Sequence, residues 1–362
     1  MIDEINMKYI RLSASVTDNL PPPSGRPNSC DMDLLQVGTY LTQAVMLEAC
    51  THPKPGLVTR ASNGSHSDMS ILTFAMSSAV LSKAFQDIIR IGYEFSGSPQ
   101  ALLKEVRAYG TCAEKSLLQA TKGVNTQRGI LFSGGILCAA AGYAAATGTV
   151  KNELPEVVRK MALGIVDREL RNKDKSKEKL TAGEKLFLSY GVTGIRGEVE
   201  AGFPSVLNEG LPALHEAFTR EAGLNDALLH TLLTLMTVVE DSNVIWRTDI
   251  TTAENVKQRA HEILELGSVF TEKGRMCIAR TEKDFIKKES VPAAAQICFL
   301  LRLLFIYWKI RSFRERYYKV GSALRVFLTE LLTINLHILD WVRINSSNAI
   351  RFGLEQAGPY CT

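Results

Sequence analysis

Between Glu48 and Asp68 the chain reads EACTHPKPGLVTRASNGSHSD, which gathers Glu48, His52, Lys54, Arg60, His66 and Asp68 around Pro-Gly and Asn-Gly breakers. Such a stretch reads as a polar loop held between two helices, the first place to expect a site. Three further turns repeat the pattern of Gly or Asn beside acid or base. They are NTQRG with Asn125, Arg128 and Gly129, GVTGIRGEVEAGFP with Arg196, Gly197, Glu198 and Glu200, and DSNVIWR with Asp241, Asn243 and Arg247. These residue types suit a polyphosphate: Lys54, Arg128 and Arg196 would meet its charge, with helix amino termini and a metal on Glu48, Asp68 or Asp241. Neither common phosphate cradle is present, since the chain has no GxxxxGK[ST] loop and no GxGxxG after a strand. No HxxxH or HExxH spacing supports zinc.

Each residue also has a plain structural reading. Lys54 could be a solvated loop lysine, Asp68 an N-cap, Asp241 a helix-end acid, Glu198 with Glu200 an exposed pair, and His66 a surface or capping histidine. Recurrence favours a site, because a helix bundle places its turns at its ends, where several converge on one pocket.

The elements that must position these turns are helical throughout. From Asp31, read as an N-cap, Leu34, Leu35, Gly38, Leu41, Val45 and Ala49 recur at three- and four-residue spacing. Asp68 is expected to cap a long helix ending near Gly97, and Ser98 followed by Pro99 starts the next one. The Gly- and Ala-rich run ILFSGGILCAAAGYAAATG predicts a helix packed deep in a bundle. Residues 151 to 170 read as one amphipathic helix and RNKDKSKEK as a solvated charge run. TAGE at Thr181–Glu184 has capping-box spacing before a short helix stopped at Gly191. LNDALLHTLLTLMTVVEDSNVIWR reads as a single apolar helix closing on Asp241, Asn243 and Arg247. With no alternating strand pattern, the fold class is all-α, a single large helical-bundle-like domain over residues 31–286 behind a Pro-rich, mobile arm at 1–30.

Composition sets the outer limits. The 362 residues are 46% hydrophobic and 22% charged with a net charge of +4, and the 42 basic residues are scattered, so nothing calls for nucleic acid. Seven cysteines without a CxxC pair read as reduced thiols of a cytoplasmic protein. Acids at positions 3 and 4 and no apolar run argue against a secretion signal. The longest apolar run, Ile297 to Trp308, is interrupted by Arg302 and is too short to span a membrane.

The motifs HPKPGLVTRASNGSHSDM, GVNTQRGILFSGGILCAAAG, DREL with LTAGEKLFLSYGVTGIRGEVEAGFP, and DSNVIWR occur in that order over roughly Leu35 to Arg247. Together they closely resemble the triphosphoribosyl-dephospho-coenzyme A synthase family, which is all-helical. The resemblance implies an enzyme that joins ATP to 3′-dephospho-coenzyme A and releases adenine. Its product is the prosthetic-group precursor of citrate lyase or malonate decarboxylase, passed to the transferase that loads the acyl carrier protein. The acceptor 2′-hydroxyl attacks the ATP anomeric carbon, so a carboxylate must stand near the sugar and an acid near the departing purine.

Carried onto this sequence, the resemblance gives Lys54, Arg128 and Arg196 as phosphate contacts and Glu48, Asp68 and Asp241 as Mg²⁺ or ribose ligands. Glu198 or Glu200 becomes the base or oxocarbenium stabiliser, with Asp68 also catalytic. Asn63, Asn125 and Asn243 become ribose or base hydrogen-bonders, Gly56, Gly129 and Gly197 points of close backbone approach, and His66 and Arg247 complete the ligand-binding set.

There are departures from the family pattern. Gln127 and Arg128 stand where His-Lys is expected, and Thr248 and Asp249 where Gly-Gly is expected. From Ser290 the chain reads SVPAAAQICFLLRLLFIYWK in place of a closing Ser-Pro-Gly-Gly-Ser-Ala-Asp-Leu-Leu motif. A codon series chosen to encode Ser290 to Leu301 yields that motif when moved by one base, so residues 287–362 are expected to be a frameshifted tail. Two further readings stay open: an inactive frameshifted remnant of the family, and a non-enzymatic helical protein that binds nucleotides or partners.

Overall fold

The computed structural model describes residues 29–149, 153–171 and 180–288, all within one unit. The Pro-rich arm up to residue 28, the charge run at 172–179 and the tail beyond Lys288 lie outside the described residues. The first half is built by α1 (Ser29–Cys50), α2 (Ile71–Glu94), α3 (Pro99–Ala120) and α4 (Arg128–Thr147). Its centre is the crossing of α2 and α4, the most extensive helix contact in the fold, with α1 and α3 packed on α2. A Cβ added at Gly92 would strike the Ala139 carbonyl, and one added at Gly142 would strike that of Ile89. Glycine at both positions therefore lets two helix backbones touch, which no larger residue permits.

α4 is buried almost all round, including every residue from Ser133 to Gly142. That is the signature of a core helix. Among the described residues it is the one helix long and apolar enough to cross a membrane, and 72% of that window is buried inside the fold.

The second half runs through α5 (Leu154–Ala162), a π-helical turn (Asp167–Arg171), α6 (Ala182–Tyr190) and α7 (Ile195–Glu200). A second π turn (Ser205–Gly210), α8 (Leu211–Thr219), α9 (Leu224–Val238), α10 (Ser242–Arg247) and α11 (Ile250–Glu265) follow, then a 3₁₀ turn (Ser268–Phe270) and α12 (Glu272–Lys288). α5 packs on α3 and α4 and so joins the halves, while α9 packs on α8 and α11. No strand occurs among the described residues, and the fold is all-α as the periodicity requires.

Local signals held where side chains could satisfy backbone donors. The Ser98 hydroxyl accepts the Ala101 N–H at 3.3 Å with Pro99 at the first helical position, and Thr181 and Glu184 form the expected capping box. Gly191 ends α6 in the left-handed region at φ 73°.

Four expectations need correction. α1 begins at Ser29, two residues before Asp31. Ser70, in a capping box with Thr73, caps α2, and Asp68 does not. The helix expected over 151–170 ends at Ala162, because Gly164 takes φ +74° and a π turn follows. The apolar helix expected to reach Arg247 breaks at Val239, which is extended. Asp241 then starts α10, its Oδ1 accepting the Val244 N–H at 3.2 Å.

Because Gly142 meets backbone rather than a movable side chain, Gly142→Ala should destabilise the fold by about 1–3 kcal/mol. Denaturant midpoints at an unchanged m-value would measure this. A loss no larger than at an exposed helical site would disprove the close crossing.

Candidate active site

A cavity of about 900 Å³ opens beside the carboxyl end of α1 and the face of α3, where the amino ends of α4, α6 and α10 and the first four residues of α7 converge. Four arginines line it: Arg107, Arg128, Arg196 and Arg247. Helix amino termini present free N–H groups and partial positive charge, so this end of the fold is electropositive by construction. A separate apolar lining comes from Phe74, Leu103, Val106, Phe132 and Val239.

The arginines are held in different ways. Glu169, on the first π turn, bridges two of them: one carboxylate oxygen meets Arg107 and the other accepts Arg196 Nε at 2.8 Å. Arg107 also lies 5.6 Å from the centre of the Phe132 ring, a cation–π distance. Arg128 Nε pairs with Glu114 at 2.8 Å, yet its side chain stays 62% exposed. Arg247 is exposed and close enough to His66 that, after burial, it is the main influence holding that imidazole below its ordinary value; Asp68, 3.6 Å away, opposes it.

Glu198 stands in the cavity wall with one carboxylate oxygen engaged and the other not. Its Oε1 accepts the Ser205 hydroxyl, while Oε2 is buried with no hydrogen-bond partner among the described residues. Burial raises its carboxyl above the ordinary carboxylate value, and hydrogen bonds from Ser205 partly oppose the rise. A buried polar atom left without a partner is costly, and a ligand is the natural occupant of its unused capacity. Thr126 Oγ1, also on the wall, is in the same condition.

Of the residues expected from sequence, Glu48, His66, Asn125, Arg128, Gly129, Arg196, Gly197, Glu198 and Arg247 line this one cavity. The others do not. Lys54 is fully buried, its ammonium 2.5 Å from Glu48 Oε1 and 2.7 Å from the Glu48 carbonyl. Burial pulls its pKa below the usual lysine range, and Glu48 pulls it back. Both oxygens of Glu200 are taken, by the N–H groups of Gly164 at 2.5 Å and Val166 at 3.1 Å, so this acid clamps the turn after α5.

Gly56, at φ +73°, belongs to a buried turn closed by the Ser65 N–H at 3.1 Å, and Asn63 and Asp68 are exposed. Asp241 caps α10. Asn243 falls in α10, its side chain outside the described set.

The loop after α1 therefore serves partly as a joint. Asn225 at the start of α9 exchanges hydrogen bonds with the His52 backbone at 3.0 and 2.8 Å and accepts Arg60 at 2.9 Å. Ser65 bonds the Phe285 carbonyl of α12 at 3.0 Å. Beneath the loop, Val58 and Met69 pack with Ala49 and Phe74.

The three expected metal ligands are thus not assembled. Among the described residues no three His, Cys, Asp or Glu side chains stand close enough to hold a metal ion. Sequence reasoning missed Arg107, Glu114, Thr126, Glu169 and Ser205. Glu169 lies in the DREL motif and Ser205 directly follows GFP, signals that were visible, whereas Arg107 sits in an ordinary amphipathic helix and carries none.

Helix termini, arginines and a buried carboxylate around one cavity are what an all-α transferase of phosphorylated substrates requires. The chain belongs to the ATP:dephospho-CoA triphosphoribosyl transferase family, whose model matches residues 35–295. Among its relatives is a probable 2-(5″-triphosphoribosyl)-3′-dephosphocoenzyme-A synthase of Malonomonas rubra, 45% identical over 66% of this chain and 77% of that protein. A protein of the same description from Vibrio cholerae is 33% identical over 78% of this chain and 90% of its own length. The 2-(5″-triphosphoribosyl)-3′-dephosphocoenzyme-A synthase of Pectobacterium atrosepticum is 42% identical over 59% and 71%. No solved structure matches.

Lys54→Met leaves the Glu48 carboxylate buried without its partner and should cost about 3–5 kcal/mol. Lys54→Met combined with Glu48→Leu should recover much of that loss. A double-mutant cycle by chemical denaturation decides the matter, and purely additive losses would rule out the coupling.

Proposed function

We propose that this protein transfers the triphosphoribosyl group of ATP to the 2′-hydroxyl of 3′-dephospho-coenzyme A, with Glu198 as the general base. The observation that carries the reading is the buried, partnerless Oε2 of Glu198 in the wall of an arginine-lined cavity. The new bond forms between the acceptor 2′-oxygen and the anomeric carbon, and the bond to adenine breaks with its electron pair leaving on the base. The hydroxyl proton passes to Glu198 and adenine takes up a proton, so the net transfer runs from hydroxyl to purine.

Arg196 and Arg107, spaced by Glu169, and the exposed Arg128 would carry the phosphates, assisted by the amino ends of α4 and α6. The apolar wall around Phe132 suits a purine or the pantetheine arm. Mg²⁺ would arrive as part of the nucleotide substrate, held chiefly by phosphate oxygens as this ion prefers, rather than in a protein cage. A cytoplasmic setting fits the free thiols of Cys50, Cys112, Cys138 and Cys277. The product would pass to the transferase that loads an acyl carrier protein.

For the tail we propose the frame reading on the codon argument for Ser290 to Leu301, although the family match itself runs on to residue 295. A chain re-encoded in the shifted frame from residue 290 should then turn over faster than the present one. Equal or lower activity would sink the idea.

Two experiments test the reaction. Adenine should appear only when ATP, Mg²⁺ and 3′-dephospho-coenzyme A are all present, and Glu198→Gln should lower the rate by about 100-fold or more. Glu200→Gln should keep most turnover, since this residue clamps a turn outside the cavity. Acceptor-independent adenine release, or a fully active Glu198→Gln, would refute the assignment.

Because the base must be ionised, activity should fall with acid, and the midpoint of that fall should lie above the ordinary carboxylate value of 4.5, the direction in which burial moves Glu198. A rate profile flat through that range would show that Glu198 does not titrate in the reaction.

A further inference from the structure

The wall behind Glu198 is more elaborate than a helix end needs. After α7 the chain reverses through Gly202 at φ +77° and Phe203 at φ +64°, and the Phe203 N–H closes on the Glu198 carbonyl at 2.8 Å. A phenylalanine in the left-handed region is strained. Phe203 is fully buried, which holds it there, and a Cβ at Gly202 would press on the Pro155 carbonyl and the Arg159 side chain of α5. The product of this reversal is that Ser205 comes back to face Glu198. Its hydroxyl reaches that carboxylate at Oε1.

We infer that Ser205 is a positioning residue for the transfer: it occupies Glu198 Oε1 and so holds the carboxylate of the base in one orientation, with Oε2 as its one unengaged oxygen. The inference rests on the reading of Glu198 as the base. Donors to an ionised carboxylate stabilise it, so the same contact keeps Glu198 available as a base at lower pH than burial alone would allow.

The charged groups around this carboxylate are themselves engaged. α7 packs on α5 and α4. On α5, Glu156 and Arg159 pair at 3.3 Å and Lys160 is exposed; on α4, Arg128 pairs with Glu114. On α7 itself Arg196 is tied to Glu169 and Glu200 to two backbone N–H groups. Burial and Ser205 alone account for the displacement of Glu198.

The test is the pH dependence of acceptor-dependent adenine release for the full chain and its variants. Ser205→Ala should move the acid limb of kcat/KM upward by on the order of one pH unit while largely keeping the alkaline plateau. Ser205→Thr, which keeps the hydroxyl, should restore the limb. A uniform loss at every pH with the limb in place would overturn the proposal, because a merely structural serine would give that result. If circular dichroism shows that Ser205→Ala has lost its fold, Ser205→Cys carries the same reading with a weaker donor, and an unmoved limb again overturns it. Glu198→Gln run alongside separates the two ideas: full activity there removes the base itself, whereas inactivity with an unmoved Ser205→Ala limb removes only the role of Ser205.

Discussion

The contact between Lys54 and Glu48 is the constraint on which the site end of the fold depends. Taking an ammonium out of water is unfavourable unless its hydrogen bonds are replaced, and here one residue replaces two of them, through a carboxylate oxygen and a main-chain carbonyl. The pairing folds the chain back onto the last turn of α1. Once that reversal is set, the loop's apolar residues reach the cluster of Ala49, Met69 and Phe74, and its polar ones reach α9 and α12. One wall of the cavity, from Glu48 to His66, follows from a pairing whose lysine lies outside the cavity lining.

The opposite wall depends on backbone proximity. Gly92 and Gly142 bring α2 and α4 into contact, which fixes the amino end of α4 and with it Gln127, Arg128 and Gly129. Gln127 is anchored there through its side chain, accepting Ser77 at 2.5 Å, and it does not cap its own helix. The free N–H groups of that first turn stay available on the cavity side. Packing and electrostatics are thus one design decision: the glycines that allow the crossing also aim a helix terminus.

Much of this was legible beforehand, for identifiable reasons. Helix class, the Ser98–Pro99 start, the Thr181–Glu184 box and the stop at Gly191 depend on contacts within a few residues, and local sequence encodes such contacts directly. The breaks at Gly164 and Val239 were missed because competing signals, amphipathic periodicity in one case and continuous hydrophobicity in the other, extend through them.

In the site, residue type and recurrence found nine cavity-lining residues, yet could not separate Glu198 from Glu200. Two positions apart on a six-residue helix, these acids point to different surroundings, and only the turn at Gly164–Val166, distant in sequence, decides which is occupied. Lys54 looked like a ligand contact because its partner Glu48 also looked like one. Sequence alone does not show that two attractive candidates satisfy each other.

The bridge formed by Glu169 gives the cavity an internal counterion. Two guanidiniums facing one another would repel; the carboxylate between them keeps both in place and leaves a single surplus positive charge in that trio. An arriving anion must displace or share that built-in acid, and a lone monovalent ion gains too little from such an exchange to compete with a carboxylate already held by two guanidiniums. A ligand with several negative charges at fixed spacing can engage both arginines at once and win. In the proposed reaction the trio would therefore favour a polyphosphate over a monovalent anion, since only the former can meet both guanidiniums together.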